Sequence, residues 1–416
     1  MKCALLIIGD ELLAGRTRDL NGHWLSTYLP SIGVELCQVK TISDDESAIT
    51  SSLDELYKRV DIVITSGGLG PTKDDITKNV LAKYFAKDLT FNDFSVKFIE
   101  NLYSKFDREW NTQKNSYHFF PEDFTLVDNL NGYAPGLSYF EDQKLLLSAP
   151  GVPREFSSMV ENSLKELISK HFKRDDLKSF EYFSIRTKGV PEEVIFRDLC
   201  PGLWEKLSAI AKLSSLPHLL GIDLVLYFNS DQREEVIQAA TKVISDSPLK
   251  DFVWQYGNLE LEELIVKEAI EKNLTLGFAE SCTGGLSSSK ITDVAGASKV
   301  YYGSIVSYAN SVKENILGVN PNTLSKYGAV SAQCAKEMAI GAQKSLGCDI
   351  AISYTGIAGP GGGSKEKPVG TVGIGWSCAL EQDSEIIYHK GSRTDLKNKF
   401  SRSGLFKLLE LIRRSN

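Results

Sequence analysis

Short apolar stretches alternate with helically spaced ones near both ends of this chain, and no other feature limits its possible folds as sharply. Within the first 172 residues, "CALLII" (3–8), "VELCQVKTI" (34–42) and "DIVITS" (61–66) read as strands. Between them lie "LNGHWLSTYL" (20–29) and "ESAITSSLDELYKRV" (46–60), the second with Ile49, Leu53, Leu56 and Val60 along one side of a helix. Strand, helix, strand, helix, strand calls for right-handed crossovers and a parallel sheet. "KLLLSAPG" (144–151) and a helix over 154–172 continue the pattern.

The same rhythm returns after residue 258. A helix over 258–273 precedes strands at 274–279, 303–308, 349–355, 369–378 and 384–391. Helices fit 282–292, 331–346 and 395–413, so this region is again α/β, a sheet with helices on both faces. Between the two regions the charged run "KRDD" (173–176) reads as a linker. "FEYFSIRTKG" (180–189), "EEVIFRDL" (192–199), "GIDLVLYF" (221–228) and a helix near 233–246 then form a smaller α+β unit. The expected domains are therefore 1–172, 176–250 and 258–416, in line with roughly 150 residues per domain.

Net charge is −7, which argues against a chain whose main business is coating nucleic acid or an anionic membrane. Seven scattered cysteines with no C-x-x-C pair point to a reducing compartment and to neither a disulfide framework nor a thiolate zinc site. The start "MKCALLIIGDELL" is too soon broken by acids for a signal peptide, and no apolar run is long enough to span a bilayer. A cytoplasmic location is expected.

"TLGFAESCTGGLSSSK" (275–290) sets a serine, Ser281, just past a strand with Thr283, Gly284 and Gly285 behind it. Ligands bind at the carboxyl ends of strands in such sheets, and the positive end of the next helix would favour an oxyanion or phosphate. Ser281 reads either as a nucleophile or as a helix cap. No histidine lies within sixty residues of it to serve as its base. "GSIVSYANSVKENILGV" (303–319) offers Lys313 instead, five residues beyond Tyr308. A desolvated lysine is a competent base for a serine, with Tyr308 to relay the proton or hold the lysine. Spacing alone equally allows Lys313 to be a solvated helix-face residue. "SYTGIAGPGGGSKEKPVGT" (353–371) is a glycine-rich loop able to line an anionic or planar ligand, and Arg393, at the end of the last strand, is a candidate for phosphate.

Together "AESCTGG", "SYANSVKENILGV", "GAVS" (328–331) and "TGIAGPGGG…EKPVGTV" resemble the nicotinamide mononucleotide deamidase domain, the C-terminal half of the CinA (competence/damage-inducible) proteins. The resemblance covers about 258–410. It implies an α/β/α amidohydrolase domain that turns nicotinamide mononucleotide into nicotinic acid mononucleotide and ammonia without a cofactor. Ser281 would be the nucleophile, Lys313 the base and Tyr308 its partner. Thr283, Gly285, Thr355, Gly356, Gly359, Gly361 and Arg393 would surround the substrate. The family's second arginine after the last strand is Lys397 here.

At the other end, "IGDELLAGRTRDLN" (8–21) and "TSGGLGPTKDDITK" (65–78) sit at strand ends. Gly67, Gly68 and Gly70 permit close backbone approach, and carboxylates without histidine or thiolate suit a hard cation carried on a phosphate ligand. The same acids also suit helix starts. With "NLNGYAPG" (129–136) and "APGVPREF" (149–156), these stretches resemble the molybdopterin-binding-like domain of the CinA proteins over 1 to about 170. That resemblance implies a parallel-sheet domain cleaving ADP-ribose to AMP and ribose 5-phosphate. Gly9, Asn21, Gly67, Gly68, Gly70, Thr72 and Thr77 would hold the substrate. Asp10, Glu11, Asp44, Asp74 and Asp75 would hold a divalent metal: Mg²⁺, Mn²⁺ or Co²⁺. The chain departs from the family pattern at Leu20, Tyr133 and Ala149.

The middle segment is similar to the small KH-like domain of the same proteins. It lacks a clear GXXG loop, so it is expected to be a spacer or dimer element with no nucleic-acid role. Two classes of function stay open: a bifunctional enzyme acting on nicotinamide mononucleotide and ADP-ribose as a homodimer, and a non-catalytic nucleotide- or pterin-binding regulator.

Overall fold

The computed structural model describes residues 1–172 and 178–415; the expected linker at 173–176 lies outside the described residues. The chain divides into two compact units. One comprises Met1–Tyr182 with Glu205–Leu213 and Leu226–Val243; the other comprises Phe183–Trp204, Ser214–Val225 and Ile244–Asn416.

The first unit is built on strands β1 (Lys2–Ile8), β2 (Glu35–Ile42) and β3 (Ile62–Ser66), a short pair β4 (Leu89–Thr90) and β5 (Phe120–Pro121), then β6 (Thr125–Val127), β7 (Gly136–Glu141) and β8 (Lys144–Ala149). The main sheet runs β2-β1-β3-β8-β7-β6. From β2 to β8 the pairing is parallel, as the alternating pattern requires. The far edge corrects that expectation: β7 is antiparallel to both β8 and β6. The reversal is local, because Asp142 and Gln143 have φ of 50° and 60°, the positive pair that a two-residue hairpin turn demands.

Side chains alternate across this sheet. Cys3, Leu5 and Ile7 pack with Leu25, Leu29, Phe156 and Val160 from the helices Asn21–Ser31 and Pro153–Phe172. Ala4, Leu6 and Ile8 pack with Ile49, Leu53 and Leu56 of Glu46–Tyr57 and with Val80 of Thr77–Tyr84. Burial on both faces explains why the strand sequences are continuously apolar. The loops after β1, β3 and β8 consequently meet at one edge.

A second, four-stranded sheet contains β9 (Phe180–Thr187), β10 (Lys212–His218), β11 (Gly221–Asn229) and β12 (Val253–Tyr256), in the order β10-β11-β9-β12. The third sheet comprises β13 (Leu276–Glu280), β14 (Tyr301–Val306), β15 (Ile350–Gly356), β16 (Thr371–Ser377) and β17 (Gln382–Tyr388), ordered β14-β13-β15-β16-β17. β13 is parallel to β14 and β15, whereas β16 is antiparallel to both of its neighbours. Helices cover both faces, as expected. Phe278, Ile350 and Ile352 pack toward the helices Leu261–Glu271 and Arg393–Arg414, while Ala279 and Ala351 pack toward Ala332–Leu346. Among the described residues no helix is long and apolar enough to cross a membrane.

Candidate active site

β13 ends at Glu280, and the chain turns over 281–285 before the helix Leu286–Thr292. Gly284 and Gly285 have φ of 64° and 94°, so the turn needs residues without a side chain. Glu280 is fully buried, yet each of its oxygens is satisfied. Oε2 accepts from the backbone N–H of Gly285 at 2.9 Å and of Ser287 at 3.2 Å. Oε1 accepts from Ser288 N–H at 2.9 Å and Ser288 hydroxyl at 2.6 Å. This carboxylate occupies the positive end of the helix, which corrects the expectation that an oxyanion or phosphate binds there. Nothing in the sequence marks Glu280, because only the folded turn brings those donors onto it.

Ser281 is not a cap. Its N–H donates to the Tyr354 carbonyl at 3.0 Å, and its Oγ stands 3.0 Å from Lys313 Nζ. Lys313 belongs to the helix Asn310–Asn315 and is only 1% exposed, so it is no solvated face residue. Its amine also reaches the carbonyls of Ser307 at 2.7 Å and Tyr308 at 3.4 Å. Desolvation lowers the lysine below its ordinary range, with Cys334 and Cys282 acting weakly against it. A neutral amine giving two N–H bonds to those carbonyls keeps its lone pair for the serine O–H. Tyr308 therefore meets Lys313 through its backbone carbonyl: the residue is 66% exposed, and its hydroxyl, expected to relay the proton or hold the lysine, makes no hydrogen bond to the amine. Burial pushes the thiol of Cys282 up to about 12, which leaves the serine as the reactive neighbour of the lysine.

These groups border a cleft of about 190 Å³ with Asn310, Ala329, Val330, Thr355, Gly356, Ala358 and Arg393. Of the expected substrate residues, Thr355, Gly356 and Arg393 line it, whereas Thr283, Gly285, Gly359 and Gly361 do not. Thr355 donates its hydroxyl to the Ala329 carbonyl at 2.7 Å. Arg393 is not at a strand end; it opens the helix Arg393–Arg414, capped by Ser392. Its Nη1 donates to the Gly359 carbonyl at 2.5 Å, so Gly359 positions the guanidinium, while Thr355, Gly356 and Ala358 bring the start of the same stretch to the cleft. Asn310, Ala329 and Val330 escaped sequence reasoning because small and neutral residues carry no chemical signature.

The first unit has a larger cavity, about 970 Å³, at the carboxyl ends of its parallel strands. Gly9, Asn21, Gly67, Gly68, Gly70, Glu11, Asp44, Asp74 and Asp75 border it as expected; Asp10, Thr72 and Thr77 do not. Thr77 is buried and donates its hydroxyl to the Gly67 carbonyl at 3.0 Å, holding the glycine turn. Thr72 donates its N–H to Asp75 Oδ2 at 2.9 Å and its hydroxyl to the same oxygen. Asn21 donates to Ser66 Oγ and the Gly151 carbonyl, both at 2.8 Å. The cavity also receives Arg18, Tyr103, Tyr117, Tyr133 and Glu155, none of which was marked as a site residue.

Asp10 N–H donates to Asp44 Oδ2 at 3.0 Å. Burial, then the charges of Asp10, Glu11 and Asp74, holds Asp44 above the usual carboxylate range despite that bond. Among the described residues no three acids, imidazoles or thiols converge to hold an ion by themselves. The donors are hard oxygens nonetheless, and they fit a Mg²⁺-like cation that keeps phosphate or water oxygens in most of its shell.

Comparison with known proteins covers both regions of the chain. Residues 258–412 match the family model for the CinA C-terminal domain, and 4–170 match the "Probable molybdopterin binding domain". A competence-damage inducible protein of Clostridium beijerinckii is 35% identical over 420 residues, covering 99% of this chain and all of that protein. A CinA-like protein of Kosmotoga olearia is 35% identical, covering 100% of this chain and 99% of its own length. The crystal structure of competence/damage inducible protein CihA from Agrobacterium tumefaciens is 38% identical, covering 37% of this chain and 96% of that one, with a TM-score of 0.36.

Proposed function

The chain belongs to the CinA family of competence/damage-inducible proteins, and from that premise we propose that its second unit hydrolyses the carboxamide of nicotinamide mononucleotide to nicotinic acid mononucleotide and ammonia. The observation that carries this reading is the buried Lys313 amine 3.0 Å from Ser281 Oγ. Lys313 takes the serine proton as Oγ bonds to the carboxamide carbon. The tetrahedral intermediate collapses, the C–N bond breaks, and Lys313 returns the proton to the departing ammonia. Water then enters, gives a proton to Lys313 and adds to the ester carbon; the C–Oγ bond breaks, and Lys313 passes that proton to Oγ, restoring Ser281 and the neutral amine. The Ser281 N–H is committed to Tyr354, so other donors must serve the oxyanion. Arg393 at the cleft takes the substrate phosphate.

For the first unit we propose hydrolysis of the diphosphate of ADP-ribose, giving AMP and ribose 5-phosphate. Glu11, Asp44, Asp74 and Asp75 border the cavity and would hold a divalent cation on the diphosphate. Such a cation, when bound, offsets phosphate charge and polarises the bond to be cleaved. The chain's own part is to present the glycine turn at 67–70, fixed by Thr77, to the phosphate oxygens.

Ammonia release from nicotinamide mononucleotide by wild type and Ser281→Ala tests the first activity. Loss of release in a folded variant supports it, and near-wild-type release overturns it. Turnover of ADP-ribose with Mg²⁺, Mn²⁺ and Co²⁺ tests the second; inactivity with all three removes it.

A further inference from the structure

Three tyrosines stand at one end of the 970 Å³ cavity of the first unit, together with a carboxylate. The rings of Tyr103 and Tyr133 lie 4.6 Å apart at 37°. Asn115 ties Tyr103 to Tyr117: its Nδ2 donates to Tyr103 Oη at 2.8 Å and its Oδ1 accepts from Tyr117 N–H at 3.2 Å, while the Phe106 ring packs 4.9 Å from Tyr133. Tyr117 is within electrostatic reach of both Tyr103 and Glu155. Glu155 Oε2 accepts from Asn129 Nδ2 at 2.7 Å, and its Oε1 accepts no hydrogen bond among the described residues. A preformed aromatic wall beside a free carboxylate oxygen suits a flat heterocycle that stacks on one face and donates an N–H from its edge.

We propose that this end of the cavity is an aminopurine subsite, with Tyr103 and Tyr133 as the stacking wall and Glu155 Oε1 as the acceptor of the exocyclic amino group. The proposal rests on the nucleotide reading above and names what holds the base. It carries a discrimination. Adenine turns an N–H donor toward Glu155, whereas hypoxanthine turns a carbonyl oxygen there, losing a charge-assisted hydrogen bond and facing a like partial charge. Burial holds Glu155 above the usual carboxylate range, with the Asn129 hydrogen bond acting against it.

The test is calorimetric titration of the full chain with ADP and with inosine diphosphate, in saturating Mg²⁺. Wild type is expected to bind ADP about tenfold or more tightly than inosine diphosphate. In Glu155→Gln, whose amide can donate or accept, the ratio is expected to fall toward unity. Tyr133→Ala weakens both ligands about tenfold and Tyr133→Phe restores them, since the ring and not the hydroxyl does the stacking. Equal affinities in wild type, an unchanged ratio in Glu155→Gln, unaltered binding by Tyr133→Ala or no binding of either ligand overturns the subsite. ADP-ribose turnover, measured alongside, separates the two claims. Turnover with equal affinities for ADP and inosine diphosphate removes the subsite alone. The binding ratio without turnover removes the hydrolytic reading and leaves the subsite standing.

Discussion

Glu280 holds Ser288 twice, accepting from its backbone N–H at 2.9 Å and from its hydroxyl at 2.6 Å. The acid therefore fixes the course of 281–288 without entering the cleft. Glu280→Ala strands four donors, that of Ser287 buried and the others partly so, and is expected to cost about 2–4 kcal/mol of stability. Glu280→Gln keeps the shape but turns an NH₂ toward N–H groups, at about 1–3 kcal/mol. Urea denaturation checks both; unchanged midpoints contradict the role.

The lysine makes a pH prediction. Its folded pKa lies below its unfolded one through desolvation, so the folded protein sheds that proton first. Deamidation needs the neutral amine, and kcat/KM for nicotinamide mononucleotide should rise with pH through a midpoint below the free-lysine value of about 10.4. Between the folded and unfolded pKa values the unfolded chain binds more protons, so this group's contribution to stability also rises with pH in that window. A pH–rate profile with its limb at or above the free-lysine value contradicts the assignment.

Arg393 borders the cleft from the start of the last helix, held by the Gly359 carbonyl. Arg393→Ala should raise KM for nicotinamide mononucleotide about 10- to 100-fold, the loss of one charge-assisted contact, with kcat within about threefold. Nicotinamide riboside, which has no phosphate, should be processed equally by both proteins.

The two activities should separate cleanly. A chelator is expected to stop ADP-ribose cleavage and leave ammonia release unchanged. Gly68→Ala should act on the same side only: a Cβ there would meet Thr77 Oγ1 at 2.0 Å, at a φ of 69°. It should cost about 2 kcal/mol or more and remove ADP-ribose turnover. Thermal unfolding and the two assays in parallel check this, and a shared loss of both activities contradicts it.

Much of this architecture is legible in the sequence for a physical reason. Strands such as Lys2–Ile8 are buried on both faces and read as continuous apolar runs, and the helices between them keep a 3.6-residue period. The antiparallel edge escaped because it depends on two residues, Asp142 and Gln143, adopting positive φ without a glycine to announce it. Ser281 and Lys313 were legible as chemistry, and the fold supplies their 3.0 Å separation. Tyr103 and Tyr117 were not: Tyr103 lies near the end of the helix Asp93–Ser104, whose period says nothing of a site, Tyr117 lies in irregular chain beyond it, and packing with Trp110 and Ala134 brings both to the cavity. Arg393 was placed one element early, because "GSRTD" reads as a loop until Ser392 is seen capping a helix.

The central claim is that Ser281 carries the substrate acyl group, and the most direct measurement is peptide mass analysis after acid quench of the enzyme turning over nicotinamide mononucleotide. The account predicts an ester of nicotinic acid mononucleotide on the peptide containing Ser281, formed as ammonia is released and absent from Ser281→Ala and Lys313→Ala. Ammonia released at the wild-type rate by Ser281→Ala, with no adduct on that peptide in either protein, would contradict it.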